Sequence, residues 1–286
     1  MKDLTVGMDI KPKISVLYIS NRHGSLDILK SSLARQTIQD FELVFVDGLY
    51  DLRKDLVKDY FKDSTYPIKH IKELDLKPEE GYKAKLARCI NQGFKNCEGE
   101  LIVSIQDYIY VPHHGLQKYW DLYLQDKNAL VTGISHQYYY PCKEDITNPE
   151  GLITVFESDY KKKPDIKVWQ DPRDDGSKGI RQVKHPIEWE LNYASIPTAV
   201  VKDLGGCDES YDLHGFGYDN ANLAIRAAMA NYTILIDSTN EVFCFRHDDW
   251  WVNEYKAKGI QPHEYHIEQI TKLQKGEIPV RLNYLG

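Results

Sequence analysis

Polar and charged residues stand at the ends of three apolar runs in this chain. Asn21-Arg22 follow Ile14-Ser-Val-Leu-Tyr-Ile-Ser20, Asp47 closes Glu42-Leu-Val-Phe-Val46, and Gln106-Asp107 follow Leu101-Ile-Val-Ser-Ile105. The chemistry open to such residues is recognition of a polar, charged ligand. Asp47 can accept a hydrogen bond from an N–H or hydroxyl of a ligand, or serve as the turn residue before Gly48. Lys85, Arg88 and Asn91 recur at i, i+3 and i+6, which makes one face of a helix cationic, either for an anionic ligand or for solvent.

Residues so placed need elements that hold them side by side. Residues 14–20 and 42–46 are β-rich, and 26–35 between them carries apolar residues at helical spacing, so the chain opens as a βαβ unit. Both strands are hydrophobic almost throughout, the pattern of a parallel sheet covered on both faces. Parallel pairing brings Asn21-Arg22 and Asp47 to one carboxyl edge, where open α/β sheets bind ligands. A helix over about 53–61, a strand near 68–71, a helix over about 81–96, the strand 101–105 and a helix over 116–124 continue the alternation. Tyr82, Leu86, Ile90 and Phe94 form the packing stripe of the 81–96 helix. Residues 138–190 hold Pro141, Pro149, Pro164, Pro172 and Pro186 and the run Lys161-Lys162-Lys163, and read as a loop-rich insertion. Order returns at 192–197 and 200–204, then as a helix over 219–230, strands at 233–236 and 242–245, and a helix over 262–274 with a proline at its first position.

Composition narrows the function classes. The 286 residues are 42% hydrophobic and 28% charged, which is globular rather than disordered. A formal charge of -7 opposes nonspecific adhesion to nucleic acid or an anionic membrane and excludes a purely electrostatic DNA coater. Residues 1–13 hold no apolar run of signal-peptide length, and no segment reaches the ~18 apolar residues of a membrane span, so a soluble, cytoplasmic protein is expected. The five cysteines include no C-x-x-C pair, which removes zinc ribbons and leaves reduced, mostly buried thiols as the expectation.

Four groups of residues fall in a telling order. Gln36-Thr37 precede the strand that closes on Val46-Asp47. Asn91-Gln-Gly93-Phe94 is followed by Cys97-Glu-Gly99-Glu100. Gly205-Gly206-Cys207-Asp208-Glu209 comes next, and then Gly215-Phe-Gly217-Tyr-Asp219-Asn220 with Arg226 seven residues past Asp219. Together they resemble the family 2 glycosyltransferases of the GT-A fold, over about residues 14–112 and 192–247. The resemblance implies one catalytic domain over 1–286 with a mostly parallel central sheet flanked by helices. Within it, 14–112 would bind the nucleotide-sugar, 138–190 form the insertion, 192–250 face the acceptor and 251–286 extend the C-terminus.

It also implies a hexosyl- or pentosyltransferase that moves a sugar from a nucleotide-sugar, with a UDP-sugar expected, to a glycan or other hydroxyl acceptor. A divalent cation, Mn²⁺ or Mg²⁺, best compensates a diphosphate leaving group. By resemblance Asp107 and His247 hold that ion. Asn21, Arg22, Asp47, Lys85, Arg88, Asn91 and Gln106 bind the donor, Asp208, Glu209 and Trp250 meet the acceptor, and Asp219 is the catalytic residue at the acceptor side, either as the base or as a residue that orients an acceptor or donor hydroxyl. Trp250-Trp251 can stack on a sugar face or anchor a core or interface.

Three departures qualify the resemblance. The family's D-x-D reads Ile105-Gln106-Asp107, Ile90 stands where an arginine is usual, and Asn220 stands where many inverting members carry Asp. Two other readings therefore stay open: a phage-type glycosyltransferase with nucleic-acid bases as acceptor, and a sugar-nucleotide or carbohydrate-binding module without catalysis.

Overall fold

The computed structural model describes residues 11–139, 167–245 and 262–285. His247, Trp250, the three-lysine run and Cys142 lie outside the described residues, as does most of the 138–190 insertion. The chain alternates β1 (Ile14–Ser20), α1 (Leu26–Ala34), β2 (Phe41–Asp47), α2 (Tyr50–Tyr60), β3 (Ile68–Lys72), α3 (Leu86–Asn96) and β4 (Leu101–Gln106). A short β5 (Ile109–Tyr110), α4 (Gly115–Gln125) and β6 (Ala129–Tyr139) follow, then β7 (Lys167–Trp169), β8 (Ile180–Gln182) and β9 (Tyr193–Pro197). The described part closes with α5 (Thr198–Leu204), α6 (Tyr211–His214), α7 (Asp219–Met229), β10 (Thr233–Phe245) and α8 (His263–Lys275).

All the described strands join one sheet, in the order β3-β2-β1-β4-β9-β6-β10-β5, with β7 on β6 and β8 on β10. Strands β1 to β4, β6 and β10 point the same way, and β9 runs antiparallel between β4 and β6. Ser20 pairs with Asp47 and Ile19 with Gln106, so the three polar strand ends do share one edge. The continuous hydrophobicity of the strands has a direct cause, since alternate residues feed two separate cores. Val16, Tyr18, Leu43, Phe45 and Val103 pack under α1 and α4, whereas Leu17, Val44, Val46 and Ile102 pack under α3, α5 and α7. Among the described residues no helix is long and apolar enough to cross a membrane. Cys89, Cys97, Cys207 and Cys244 are buried and form no disulfide, and burial pushes the thiols of the first three up.

Several elements differ from the sequence expectation. The 81–96 helix begins only at Leu86, because Gly81 takes a positive φ of 86° and the N–H groups of Lys83 and Ala84 donate to the Asp212 carbonyl instead of to a helix. Strand β6 and the small strands β7 and β8 are additional. The strands read at 233–236 and 242–245 are one element, interrupted by an irregularity between Ile236 and Glu241. Pro262 is the N-cap of α8 rather than its first residue.

Candidate active site

A cavity of about 370 Å³ opens at the carboxyl edge of the sheet. Of the residues expected to do chemistry, Asn21, Arg22, Lys85, Gln106, Asp107 and Asp219 line it, together with Glu73, Glu190, Asn192, Phe216 and Asn220. Arg22 is nearly buried, and its Nη1 lies 2.6 Å from Oδ1 of Asp107. Ser20 Oγ donates to the other carboxylate oxygen at 3.2 Å. Lys85 pairs with Glu73 at 2.6 Å. Each cation on the wall thus rests on a carboxylate, which fixes its position.

Asp47 stands behind this wall, fully buried. Its carboxylate accepts from the Leu49 N–H at 2.7 Å, from Arg53 Nη2 at 2.7 Å and from Arg53 Nε at 2.9 Å, and it meets His70 Nε2 at 2.7 Å. Burial alone would raise the Asp47 carboxyl, but His70 and Arg53 outweigh it and hold it below the usual range. Arg53 Nη1 in turn donates to the Arg22 carbonyl at 2.8 Å, so Asp47 fixes the loop that presents Arg22. Gly48 completes this corner: a Cβ there would stand 2.6 Å from Glu73 Oε2 and 2.7 Å from the Asn21 Cβ. Asp47→Ala is expected to cost about 3 kcal/mol of stability near neutral pH, the scale for stranding a buried charge partner. Because the folded carboxyl is depressed, the cost should shrink as pH falls through the acid range. Chemical denaturation of both proteins across pH tests this, and equal stability at neutral pH would count against it.

Asn91 and Arg88 also stand off the cavity. Asn91 Nδ2 donates to the Cys207 carbonyl and to Glu209 Oε1, both at 2.9 Å, while its Oδ1 accepts from the Cys207 N–H at 2.8 Å. The Arg88 guanidinium lies over the Tyr82 ring, 4.4 Å from its centroid. Asp208 accepts from Ser210 and from the Tyr284 hydroxyl. Arg226, fully buried, donates to the carbonyls of Leu204 at 2.7 Å, of Val280 at 3.3 Å and of Gly206. In this geometry the Gly-Gly-Cys-Asp-Glu segment is braced from three sides. Gly205 and Gly206 take φ of 74° and 82°, a conformation open to glycine, and that turn receives the segment around Leu282.

Two buried acids of this half have raised proton affinity. Asp212 caps α3, accepting from the N–H groups of Ala87 at 3.1 Å and Arg88 at 3.0 Å, yet burial pushes its carboxyl up to about 6. Asp219, first residue of α7, is 2% exposed. Burial and then the nearby Asp212 charge push it up to about 7, against the N–H groups of its own residue and Asn220. A carboxylate of that affinity beside a cavity is suited to accept a proton near neutral pH. Asp212→Asn is therefore expected to move the acid limb of the pH–rate profile to lower pH by removing the repulsion. Asp212→Ala should also cost about 1 kcal/mol of stability as a lost cap. An unmoved limb would dissociate the two acids.

Sequence reasoning missed Glu73, Glu190, Asp212, Arg53 and His70. Arg53 and His70 are visible only as partners of Asp47, and Glu190 sits in a proline-rich stretch without periodicity. Among the described residues, His136, Asp174 and Glu241 bring ligand-type atoms within 4.8 Å of one another, away from the cavity lining. The Asp171 N–H donates to His136 Nδ1 at 3.3 Å, so a neutral ring carries its proton on Nε2, facing Asp174 and Glu241, and Lys178 already neutralises Glu241. That arrangement suits an ion-pair network better than a metal. Asp107 is a carboxylate on the cavity wall that a hard divalent cation, held by one or two carboxylates plus phosphate oxygens and water, could use. Its Oδ1 is paired with Arg22 at 2.6 Å and its Oδ2 accepts from Ser20 at 3.2 Å, so an ion there would have to share or displace Arg22.

A mostly parallel sheet flanked by helices, with its cavity at the carboxyl edge, is an α/β fold that this chain shares with solved structures. The crystal structure of S. aureus TarS superposes with a TM-score of 0.54 at 15% identity, over 82% of this chain and 37% of that one. Residues 1–349 of S. aureus TarS in complex with UDP superpose with a TM-score of 0.56 at 14% identity, over 82% of this chain and 60% of that one. The chain spans less than two thirds of either structure, and the likeness is one of fold. No family model and no curated protein sequence matches the chain.

Proposed function

We propose that the protein is a metal-dependent glycosyltransferase of the GT-A, family 2 type that transfers a sugar from a UDP-sugar to a hydroxyl of a glycan or other acceptor. The observation that carries this reading is one cavity at the sheet edge that brings together Arg22, Lys85, Asp107 and Asp219. The UDP complex of the structurally similar TarS supports a nucleotide donor.

In this reading the nucleoside lies toward Asn21 and Glu73, with Arg22 and Lys85 compensating the diphosphate. Asp107, with His247 as expected from the sequence, would hold Mn²⁺ or Mg²⁺, which when bound stabilises the charge that develops on the leaving diphosphate. Asp219 takes the acceptor hydroxyl proton as its oxygen attacks the anomeric carbon, or orients that hydroxyl while the leaving phosphate takes the proton. Phe216 and Leu191 on the cavity wall limit the water that competes with the acceptor.

The test is a thermal-shift panel of UDP, UDP-sugars and other nucleotide-sugars with Mn²⁺, followed by assay of UDP release from the best ligand in water. A ligand at ~100 times its Kd stabilises by about 2.7 kcal/mol and stands out clearly. No shift with any nucleotide would overturn the reading, and binding without release would leave a non-catalytic binder.

A further inference from the structure

Four carboxylates line the cavity: Glu73, Asp107, Glu190 and Asp219. The first two carry Lys85 and Arg22, and Asp219 has a role above. Glu190 has none, and its position is informative. It precedes β9, whose neighbour is β4, and the Gln106 N–H donates to the Asn192 carbonyl at 2.8 Å. Along the sheet edge the cavity residues therefore run from Glu73 beyond β3, through Asn21 and Arg22 after β1, to Asp107 after β4 and Glu190 before β9. Adjacent strands are about 4.8 Å apart. A nucleotide with its base toward β1–β3 and its diphosphate at Asp107 places whatever lies beyond the diphosphate over the start of β9.

The Glu190 side chain is fixed from behind. Asn192 Nδ2 donates to Oε2 at 3.1 Å, and Arg173 Nη2 lies 3.7 Å from the same oxygen. Arg173 is held by its pair with Asp171 and by bonds to Thr132 Oγ1 at 3.1 Å and the Glu188 carbonyl at 3.0 Å. Among the described residues Oε1 accepts no hydrogen bond, and the side chain is 47% exposed on the cavity side of this network. A half-buried carboxylate with one anchored oxygen and one open oxygen is a hydroxyl acceptor awaiting its donor.

We propose that Glu190 binds a hydroxyl of the transferred sugar through Oε1 and so helps to select that sugar. The assignment rests on the donor reading given under Proposed function.

The test uses the full chain with Mn²⁺ and calorimetric titration of UDP, UDP-glucose, UDP-galactose, UDP-N-acetylglucosamine and UDP-N-acetylgalactosamine, for wild type and Glu190→Gln. The substitution keeps the shape but removes the charge. At least one UDP-sugar is expected to lose ~10-fold or more in affinity, the scale of a hydrogen bond to a charged group, while UDP changes less than ~2-fold. Retained UDP affinity also shows that the variant is folded. If the ratio of UDP-sugar to UDP affinity is unchanged for every sugar, whether neither or both have weakened, Glu190 does not contact the sugar. If wild type binds no UDP at all, the donor reading fails and this assignment goes with it.

Discussion

Asp219→Asn is expected to lower turnover by ~10³-fold, within the span measured for loss of a general base. The substitution preserves the acceptor oxygen that meets the N–H groups at the start of α7, so the helix should persist. It removes only the capacity to take a proton. The same acid should give the wild-type kcat/KM a limb that rises with pH through about 7, because the deprotonated form is the active one and burial holds the proton that long. Stability should move the other way. A carboxyl whose folded value lies above its unfolded one stabilises the fold at acid pH and loses that contribution as pH rises from about 4 toward 7. Asp219→Asn should therefore melt higher than wild type at pH 8, by an amount that vanishes at pH 4. Steady-state rates and thermal melts across pH check both limbs. Near-wild-type turnover in the variant would take Asp219 out of catalysis.

The second large effect belongs to Asp107. Asp107→Ala should cost ~10³-fold in transfer, the scale for removing an electrostatic stabiliser of developing charge. It should also weaken Mn²⁺ binding in an EPR titration of the protein with UDP. Two readouts are needed because the substitution also strips Arg22 of the carboxylate 2.6 Å away. A fall in activity with intact Mn²⁺ affinity would mean that Asp107 matters only as the Arg22 partner. Full turnover of the variant in excess EDTA would end the metal model.

What could be read in advance follows from how each residue is held. The strand ends were legible because β1, β2 and β4 bury both faces, which forces an unbroken apolar run and makes its polar terminus conspicuous. Helix α3 was legible from its stripe but not its start, since Asp212, more than a hundred residues away, supplies the cap that fixes Leu86 as the first residue. Strand β10 was read as two because Asp237-Ser-Thr-Asn240 has turn composition. In the fold, Asp237 satisfies the Thr239 N–H at 2.9 Å and the strand resumes beyond the irregularity. Polar motif residues were the hardest. Asn91 and Asp208 bear the groups a ligand contact needs, and a buried brace needs the same groups, so only their partners distinguish the two uses. Glu190 had no signal, as its meaning comes from β9 lying next to β4.

The closure of residues 280–284 over the Gly205-Gly206 turn has a consequence for the order of assembly. Arg226 finds one of its carbonyl partners 54 residues away, and Asp208 meets the Tyr284 hydroxyl across 76. Contacts of such sequence separation form after the local helices, as does the β1–β4 pairing, which spans a still longer separation of 87 residues between Ser20 and Asp107. Until they form, a buried guanidinium lacks part of its shell, and the helix that carries Asp219 has an incomplete seat. Refolding should thus recover the far-ultraviolet signal before it recovers activity, with the lag abolished if Val280 to Tyr284 protection in hydrogen exchange appears as early as that of β1. The helix that carries Asp219 would then gain its complete seat only when residues 280–284 dock on the Gly205-Gly206 turn.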